Sequence, residues 1–560
     1  MDTKPETSIP WTSHPRPQFK RKQFHILKDN WTLNSQSICI PFPPQSSLSG
    51  YQGVVPEELI YECTFSVPKS FREKRVLLHF DAVDQIAEVY VNDTLVGANE
   101  GGYLPFTFDI THEVNRYGEN TLKVIATDTL DHNYPYGKQT KHPKGMWYTA
   151  VSGIWQSVWI ENVPDIYVKR IVIKTDLENV TLKLEYNKPV PATDPFEVAY
   201  TLSDGIVRTE AFTEGKATFS ITNPIHWTPD NPHLYQMTIT AGEDHFESYF
   251  ALRTIGTKSF QGRKRVCLNG EPIFLHGVLD QGYFPDGIYL PKQETGYDRD
   301  ILAMKELGFN MLRKHIKIEP DYFYYACDRL GMLVMQDMVN SGDYSFIHDT
   351  VLPTIGFQKM RESKLPIDNR RRQIFEEQIR HTVEHLHNHP SIIAYTIFNE
   401  GWGQFNSDDL YLYVKALDKS RLIDTTSGWF AQQKSDFNSL HIYFRNKTLT
   451  NTSSRPLLIS ECGGYKLLDS SHFFGKKEYG YGTCKDSTEL TNRILEMYEK
   501  MILPAMKEGV CGCVYTQLSD VEGEINGLYT YDREICKVEK EKMLKIAKRL
   551  NQTTNDTLVN

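Results

Sequence analysis

Two glutamates each close a short apolar run in this chain. Asn399-Glu400 follows the run Ile392 to Phe398, and Glu461 follows Pro456-Leu457-Leu458-Ile459-Ser460. An apolar run of that length reads as a buried strand, so each carboxyl group is predicted to project from a strand end. Paired carboxyl groups so placed suit glycoside hydrolysis. One gives a proton to the leaving oxygen, and the other attacks the anomeric carbon to form a covalent glycosyl-enzyme. Retention of configuration needs the two about 5–5.5 Å apart. The acid must hold its proton to a higher pH than the nucleophile, and neighbouring like charges help to separate the two pKa values. Asn399 suits a hydrogen bond to a sugar 2-hydroxyl. A single glutamate at a strand end is as easily an ion-paired or surface group; it is the pair that carries the reading.

The elements that must position the pair begin near residue 255, where strand-like runs alternate with amphipathic helices. Ile273-Phe274-Leu275 reads as a strand, and Tyr297, Ile301 and Met304 share one helical face at i, i+4, i+7. Asn310-Met311-Leu312 is the next strand, and Pro320 opens another helix at a favoured first-turn position. Leu333-Val334-Met335 follows, then a long loop over about 340–370, then a helix marked by Phe375, Ile379, Val383 and Leu386. Later strands are Ile392 to Tyr395, Leu422-Ile423, His441-Ile442-Tyr443, Leu457-Leu458-Ile459 and Val510 to Val514. Eight β/α units over 255–560 predict a (β/α)8 TIM barrel, whose functional residues sit where strands run out into loops. Glu400 then ends the fourth strand and Glu461 the seventh, facing one another across the mouth.

Ahead of the barrel the period is close to two. Val76-Leu77-Leu78-His79-Phe80 is a buried run; Glu88-Val89-Tyr90-Val91 turns at Asn92-Asp93 and resumes at Thr94-Leu95-Val96. Gly101-Gly102 precedes Phe106-Thr107-Phe108. Such short strands predict a β-sandwich over 1–165, entered through a polar, Pro-rich arm. Ile171-Val172-Ile173, Val180 to Leu184 and Tyr235 to Ile239 alternate in the same way. They predict a second, immunoglobulin-like sandwich of seven strands over 166–254.

Over 560 residues, 40% hydrophobic and 24% charged residues with a net charge of -9 describe an ordinary globular protein. There is no basic footprint for nucleic acid and no polybasic patch for membrane. Aromatic residues reach 12%, which serves sugar stacking and β-sheet cores alike. The N-terminus lacks a basic segment followed by an apolar one, so no secretory signal is expected, and no run reaches the ~18 apolar residues of a membrane span. Nine cysteines without framework spacing, with Cys511 and Cys513 flanking a glycine in an apolar run, point to buried thiols and a reducing cytoplasm.

Motifs in all three segments fall in one familiar order. Gly145 to Gln156 closes the first sandwich. Trp227, Asn231-Pro232-His233-Leu234-Tyr235 and Phe250 to Ile255 mark the second. Leu268-Asn269-Gly270 through Gly277, Asn388-His389-Pro390-Ser391-Ile392 leading to Asn399-Glu400, and Pro456 to Glu461 mark the barrel. In this the chain resembles glycoside hydrolase family 2, the β-galactosidases, β-glucuronidases and β-mannosidases, over nearly its whole length. The resemblance implies a jelly-roll-like sugar-binding sandwich first, Glu400 as acid/base and Glu461 as nucleophile of a retaining exo-β-glycosidase. A β-galactoside is the first choice, with β-glucuronide or α-L-arabinoside behind it.

The sugar-holding positions depart from the family's usual pattern. Gly277-Val278-Leu279-Asp280 replaces Gly-Val-Asn, Arg313 is kept while His315 stands one place early, and Tyr515-Thr516-Gln517 replaces the usual Trp of strand eight. Asp280, Arg313, His315, Asp337, Asn399, Trp402, Trp429, His441 and Tyr443 are the candidate substrate-binding residues. Each has a plain structural alternative: an ion pair for Arg313, a loop cap for Asp280, a satisfied core histidine for His441, simple packing for the tryptophans. Arg445 and Lys447 offer charge past strand six. His381-Thr382-Val383-Glu384-His385 matches a zinc-peptidase pattern, but its helix leads into strand four. The basic C-terminal helix, Lys537 to Arg549, reads as a solvated face. No metal site is assigned and the chemistry requires no cofactor. The expected partner is an oligosaccharide or glycoside; a non-catalytic carbohydrate-binding protein is the alternative, and the sequence leaves a homo-oligomer open.

Overall fold

A computed structural model describes residues 11–71, 73–189, 196–202, 204–359, 362, 368–443, 447–451 and 453–559. Arg445 lies outside the described residues.

The first sandwich follows from strict alternation. In Glu58–Ser66, Leu59, Tyr61, Cys63 and Phe65 are buried while Glu58, Glu62, Thr64 and Ser66 face water. That strand sits in a six-stranded sheet, paired with Glu119–Thr127 in antiparallel register. A four-stranded sheet of Phe24–Ile26, Val158–Val163, Arg75–Phe80 and Phe106–Asp109 completes the sandwich, and one apolar core includes residues of both sheets. The second sandwich has three strands facing four, seven among the described residues, from Val168–Thr175 to Asp244–Phe250.

The barrel strands are β1 (Leu275–Asp280), β2 (Met311–Lys314), β3 (Leu333–Asp337), β4 (Ile392–Asn399), β5 (Leu422–Ser427), β6 (Asn438–Ile442), β7 (Leu457–Gly463) and β8 (Val510–Thr516). All are parallel, in the order 5-4-3-2-1-8-7-6. Helices α1 (Thr295–Glu306), α2 (Asp321–Leu330), α3 (Asn369–Leu386), α4 (Ser407–Leu417), α5 (Ser487–Met497) and α6 (Lys540–Val559) pack outside. The predicted faces are the buried ones: Tyr297, Ile301 and Met304 on α1, and Phe375, Ile379, Val383 and Leu386 on α3. Asp368 caps α3 by accepting from the amides of Arg370 and Arg371.

Three expectations need correction. The eight units are not all complete: no helix lies between β5 and β6, nor among the described residues between β6 and β7. The loop at 340–370 is not wholly irregular, because Phe346–Val351 forms a wide helical turn running into Leu352–Thr354. The C-terminal helix is no free solvated face. Met543, Ile546, Ala547 and Leu550 are buried, and Lys537 is buried with its ammonium 2.6 Å from Asp520.

β5 and β6 share no backbone ladder. Side chains and one backbone hydrogen bond close the seam: Asp436 N–H donates to the Ile423 carbonyl at 2.8 Å, the Asp436 carboxylate accepts from Ile423 N–H at 2.8 Å, and Ser439 donates to Asp424 at 2.7 Å.

Candidate active site

The C-terminal halves of the strands turn polar and fill the upper barrel. Arg313, on β2, is wholly buried and spends its guanidinium on four acceptors. Nε donates to Asp337 at 3.0 Å, Nη1 to the Ser460 carbonyl at 3.0 Å and to Glu461 at 3.1 Å, and Nη2 to Asn399 Oδ1 at 2.9 Å. Because the Asn399 carbonyl oxygen faces Arg313, its amide N–H2 is the end turned away from the arginine. Asp337 also binds His315 Nδ1 at 2.7 Å. Burial, with Lys138 and Arg313 beside it, lowers the His315 imidazole to about 4 despite Asp337.

Glu461 lies within β7. Its second oxygen accepts from the Tyr443 hydroxyl, which also meets Thr516 at 3.1 Å. Burial works against its charge, but His441, Arg313, His315 and the Tyr443 hydrogen bond outweigh burial and hold the carboxyl at about 2. Burial and the facing carboxylates push the Tyr443 phenol well above its ordinary range, so it stays a donor.

Glu400 stands one residue past β4 on a left-handed backbone, φ 54°. Such a conformation is uncommon for a residue with a Cβ and must be held by its surroundings. Its N–H donates to the Ser427 carbonyl at 3.0 Å, and Trp429 Nε1 donates to its carbonyl at 3.0 Å. Its carboxylate lies 2.7 Å from His441 Nδ1. That nitrogen is also 3.6 Å from Glu461. Gly428 permits the approach: a Cβ there would fall 2.8 Å from the His441 ring.

One oxygen of each glutamate and a ring nitrogen of His441 lie within 4.8 Å of one another. Among the described residues, Glu400, His441 and Glu461 are therefore the group spaced closely enough to hold a cation. Arg313 already supplies positive charge to one side of it. The His381/Glu384/His385 pattern builds nothing comparable, since His385 pairs with Asp321 at 2.9 Å.

The structure thus gathers Asn399, Glu400, Glu461, Arg313, His315, Asp337, His441, Tyr443 and Trp429 into one contact network. Trp402 is near but buried, with Nε1 on the Gly342 carbonyl and its ring edge-on to Trp147, Tyr136 and Tyr344. It supports the wall and leaves no open face for a sugar. Asp280 does not join the network: it pairs with Lys314 at 2.6 Å inside a buried cluster completed by Glu319 and Lys317.

Sequence reasoning missed the wall contributed by the first sandwich. Tyr148 donates to Glu524, Thr149 N–H to Glu522 at 2.9 Å, and Tyr136 to the Gly342 carbonyl at 3.0 Å. Burial raises the Glu524 carboxyl, against Tyr148 and Lys138. Lys138 extends over Trp147, 5.9 Å from the ring, with no ion-pair partner among the described residues. Tyr481, in a glycine-flanked segment after β7, packs 4.7 Å from the Tyr443 ring. The run Tyr479-Gly480-Tyr481-Gly482 was the available signal. Beside the mouth a cavity of about 1210 Å³ opens between Asp131–Asn133 and the barrel segments at Gly342–Asp343 and Gly401–Phe405.

A barrel whose upper half is polar, carrying opposed glutamates at β4 and β7 and walled by a sandwich, has the build of a multidomain glycoside hydrolase. The chain belongs to glycosyl hydrolases family 2. Three family models match it in order: the galactose-binding domain-like model over 34–156, the central family 2 model over 166–253, and the TIM barrel domain over 262–470. It is similar to a β-galactosidase of Thermoanaerobacter pseudethanolicus, 28% identical over 302 residues, covering 50% of this chain and 39% of that protein. A β-galactosidase of Lactococcus lactis is 28% identical over 379 residues, covering 66% and 35%. The chain therefore spans well under half the length of these curated relatives. In fold it is similar to a β-D-glucuronidase from Dictyoglomus thermophilum, with TM-score 0.74 and 18% identity over 96% of this chain and 98% of that one.

Proposed function

We propose that this protein is a retaining exo-β-glycosidase working by double displacement. The observation that carries this is the unequal pair: two carboxyl groups with oxygens within 4.8 Å, one held anionic at about 2 and the other 2.7 Å from His441 Nδ1. So close an approach suits the ~5–5.5 Å carboxyl separation of a retaining pair rather than the ~6.5–9.5 Å of an inverting one. In the first step Glu461 attacks the anomeric carbon while Glu400 protonates the departing oxygen. In the second, Glu400 takes a proton from water, which attacks the same carbon and releases Glu461. Arg313 and Tyr443 keep the nucleophile charged, and the Asn399 amide donates to the 2-hydroxyl. Trp147 and Tyr136, with the loops beside them, close one side of the mouth and favour removal of a terminal sugar.

A β-galactoside is the first substrate, supported by the curated relatives. A β-glucuronide is second, supported by Lys138, an unpaired ammonium close enough to Glu524 and His315 to shift both. The same proposal places the enzyme in the cytoplasm, acting on small glycosides. All nine cysteines are free thiols, and no helix among the described residues is long and apolar enough to cross a membrane.

The test is release of nitrophenol from β-galactoside, β-glucuronide, β-mannoside, β-glucoside and α-L-arabinosides by wild type, Glu461→Ala and Lys138→Ala. Turnover of one substrate that vanishes in Glu461→Ala supports the reading. A selective loss of glucuronide turnover in Lys138→Ala assigns the sugar. Silence of the folded wild type across the panel, with oligosaccharide binding by calorimetry, would replace the enzyme with a carbohydrate-binding protein.

A further inference from the structure

Beneath His441 runs an unbroken chain of hydroxyl groups that the mechanism above does not use. Ser439 Oγ lies 2.7 Å from Asp424 Oδ2, Ser460 Oγ 2.6 Å from Ser439 Oγ, Ser427 Oγ 2.8 Å from Ser460 Oγ, and His441 Nε2 3.0 Å from Ser427 Oγ. Asp424, Ser427 and Ser460 are fully buried and Ser439 partly so.

Each hydroxyl has one hydrogen to give. The Asp424 carboxylate takes that of Ser439, so Ser460 must donate to Ser439. The Ser460 hydrogen is then spent, and Ser427 must donate to Ser460. Ser427 is left with lone pairs only toward the ring, so His441 Nε2 carries a hydrogen and donates it. Arg313 Nη1 is 3.5 Å from the same nitrogen but does not compete, since its two hydrogens go to the Ser460 carbonyl and Glu461. With Nε2 fixed as a donor, Nδ1 and Glu400, 2.7 Å apart, are left to share the proton between them.

We propose that Asp424, acting through Ser439, Ser460 and Ser427, is a positioning residue that fixes the hydrogen on His441 Nε2 and thereby tunes Glu400 as acid and base. The inference rests on the glycosidase reading only for its kinetic consequence. The charged groups that face His441 are Glu400 past β4, Glu461 on β7, Arg313 on β2 and Asp424 on β5. Burial raises the Asp424 carboxyl, against Ser439, Arg313 and His441. With Asp424 as the terminal acceptor, the chain keeps the hydrogen on Nε2 and leaves Nδ1 as the partner of the Glu400 acid proton. Cutting the chain frees Ser427 to donate to Nε2, so the ring hydrogen can shift to Nδ1, where it meets Glu400 and displaces its acid proton.

Ser460→Ala cuts the chain at its centre, removes no charge and leaves the backbone carbonyl that Arg313 uses. On a substrate with a poor leaving group, which needs the acid, turnover should fall on the order of tenfold, within the range that general acid catalysis spans. On a dinitrophenyl glycoside, which leaves unaided, the change should stay under about twofold. Ser439→Ala should behave alike, and Ser460→Thr, which keeps the hydroxyl, should restore wild-type turnover. Equal losses on both substrates, or no loss on either, would overturn the relay. Ring-nitrogen signals of 15N-histidine-labelled protein, with His441 assigned by its loss in His441→Gln, give a readout independent of turnover. The ring hydrogen should sit on Nε2 in wild type and shift toward Nδ1 in Ser460→Ala; identical signals in the two proteins would refute the proposal. If instead Glu461→Ala keeps its turnover, the glycosidase reading falls while the nitrogen signals still decide the relay.

Discussion

The ends of β4 and β7 carry the same side chain in opposite settings. Glu461 lies within regular strand, buried, with a guanidinium and a phenol on its two oxygens. Glu400 lies past its strand on a left-handed backbone, more open to the mouth, with only a histidine on its carboxylate. The first setting stabilises a charge; the second gives the carboxylate one histidine nitrogen and no cation from arginine. Chemically equivalent residues thus meet different surroundings supplied by the neighbouring strands, the basis of the two roles proposed for them.

The contrast can be broken most severely at β7. Glu461→Ala should lower turnover by a factor on the order of 10⁴ or more, as removal of a nucleophile does elsewhere. Added azide should restore turnover with a product of inverted configuration, read by NMR of the glycosyl azide. At β4 the loss should depend on the leaving group. Glu400→Gln should cost ~10²–10⁴-fold on poor leaving groups, the usual span for general acid catalysis, and far less on dinitrophenyl glycosides. Loss on both substrates alike would mean that the two glutamates are not distinguished as argued.

Arg313→Met attacks the difference itself. Leaving Asp337 and Glu461 buried without their cation should destabilise the fold by about 3–5 kcal/mol, measured by urea unfolding. Turnover should fall on the order of 10²-fold, with the acid limb of the pH profile moving up as Glu461 becomes harder to ionise. The sign follows from a folded value of about 2 lying below the ordinary ~4.3 of a glutamate. The stability contributed by the charge is complete above roughly pH 4.3 and is lost as pH falls through the folded value. The gap in unfolding midpoint between wild type and Glu461→Gln should therefore narrow across that window. The smallest effect belongs to Trp429→Phe, which removes the N–H holding the Glu400 carbonyl. It should cost about 1 kcal/mol, seen as a severalfold drop in kcat with KM little changed.

Apolar periodicity shows where the strands begin and which helix faces turn inward, because burial selects those residues. It fails at the strand ends. Leu422-Ile423 reads as a strand, but the ladder runs on through Asp424, Thr425 and Thr426 to Ser427; Asn310 to Leu312 reads as one, but it continues through Arg313 and Lys314. The polar halves look like loops because most of their groups pair with one another inside the barrel instead of facing solvent, although Asp424 Oδ1 and Thr425 Oγ1 are buried without a hydrogen-bond partner there. Glu400 and Glu461 were legible because each follows its apolar run directly. Lys138 and Tyr148 were not, since their part in the mouth depends on how a separate domain docks. Asp280, at a comparable strand end, reads equally as a sugar contact or a loop cap; in the structure it accepts from Gly282 N–H at 2.9 Å and pairs with Lys314.

The joint between β5 and β6, laced by serines and two aspartates in place of a backbone ladder, lies on the short arc between the two glutamates. Under the proposed mechanism the carboxylate spacing is thus gauged across the one join of the described barrel that has no ladder, with His441 between the two glutamates. A substitution in that seam should register first in which anomer is released, before it registers in whether the protein folds.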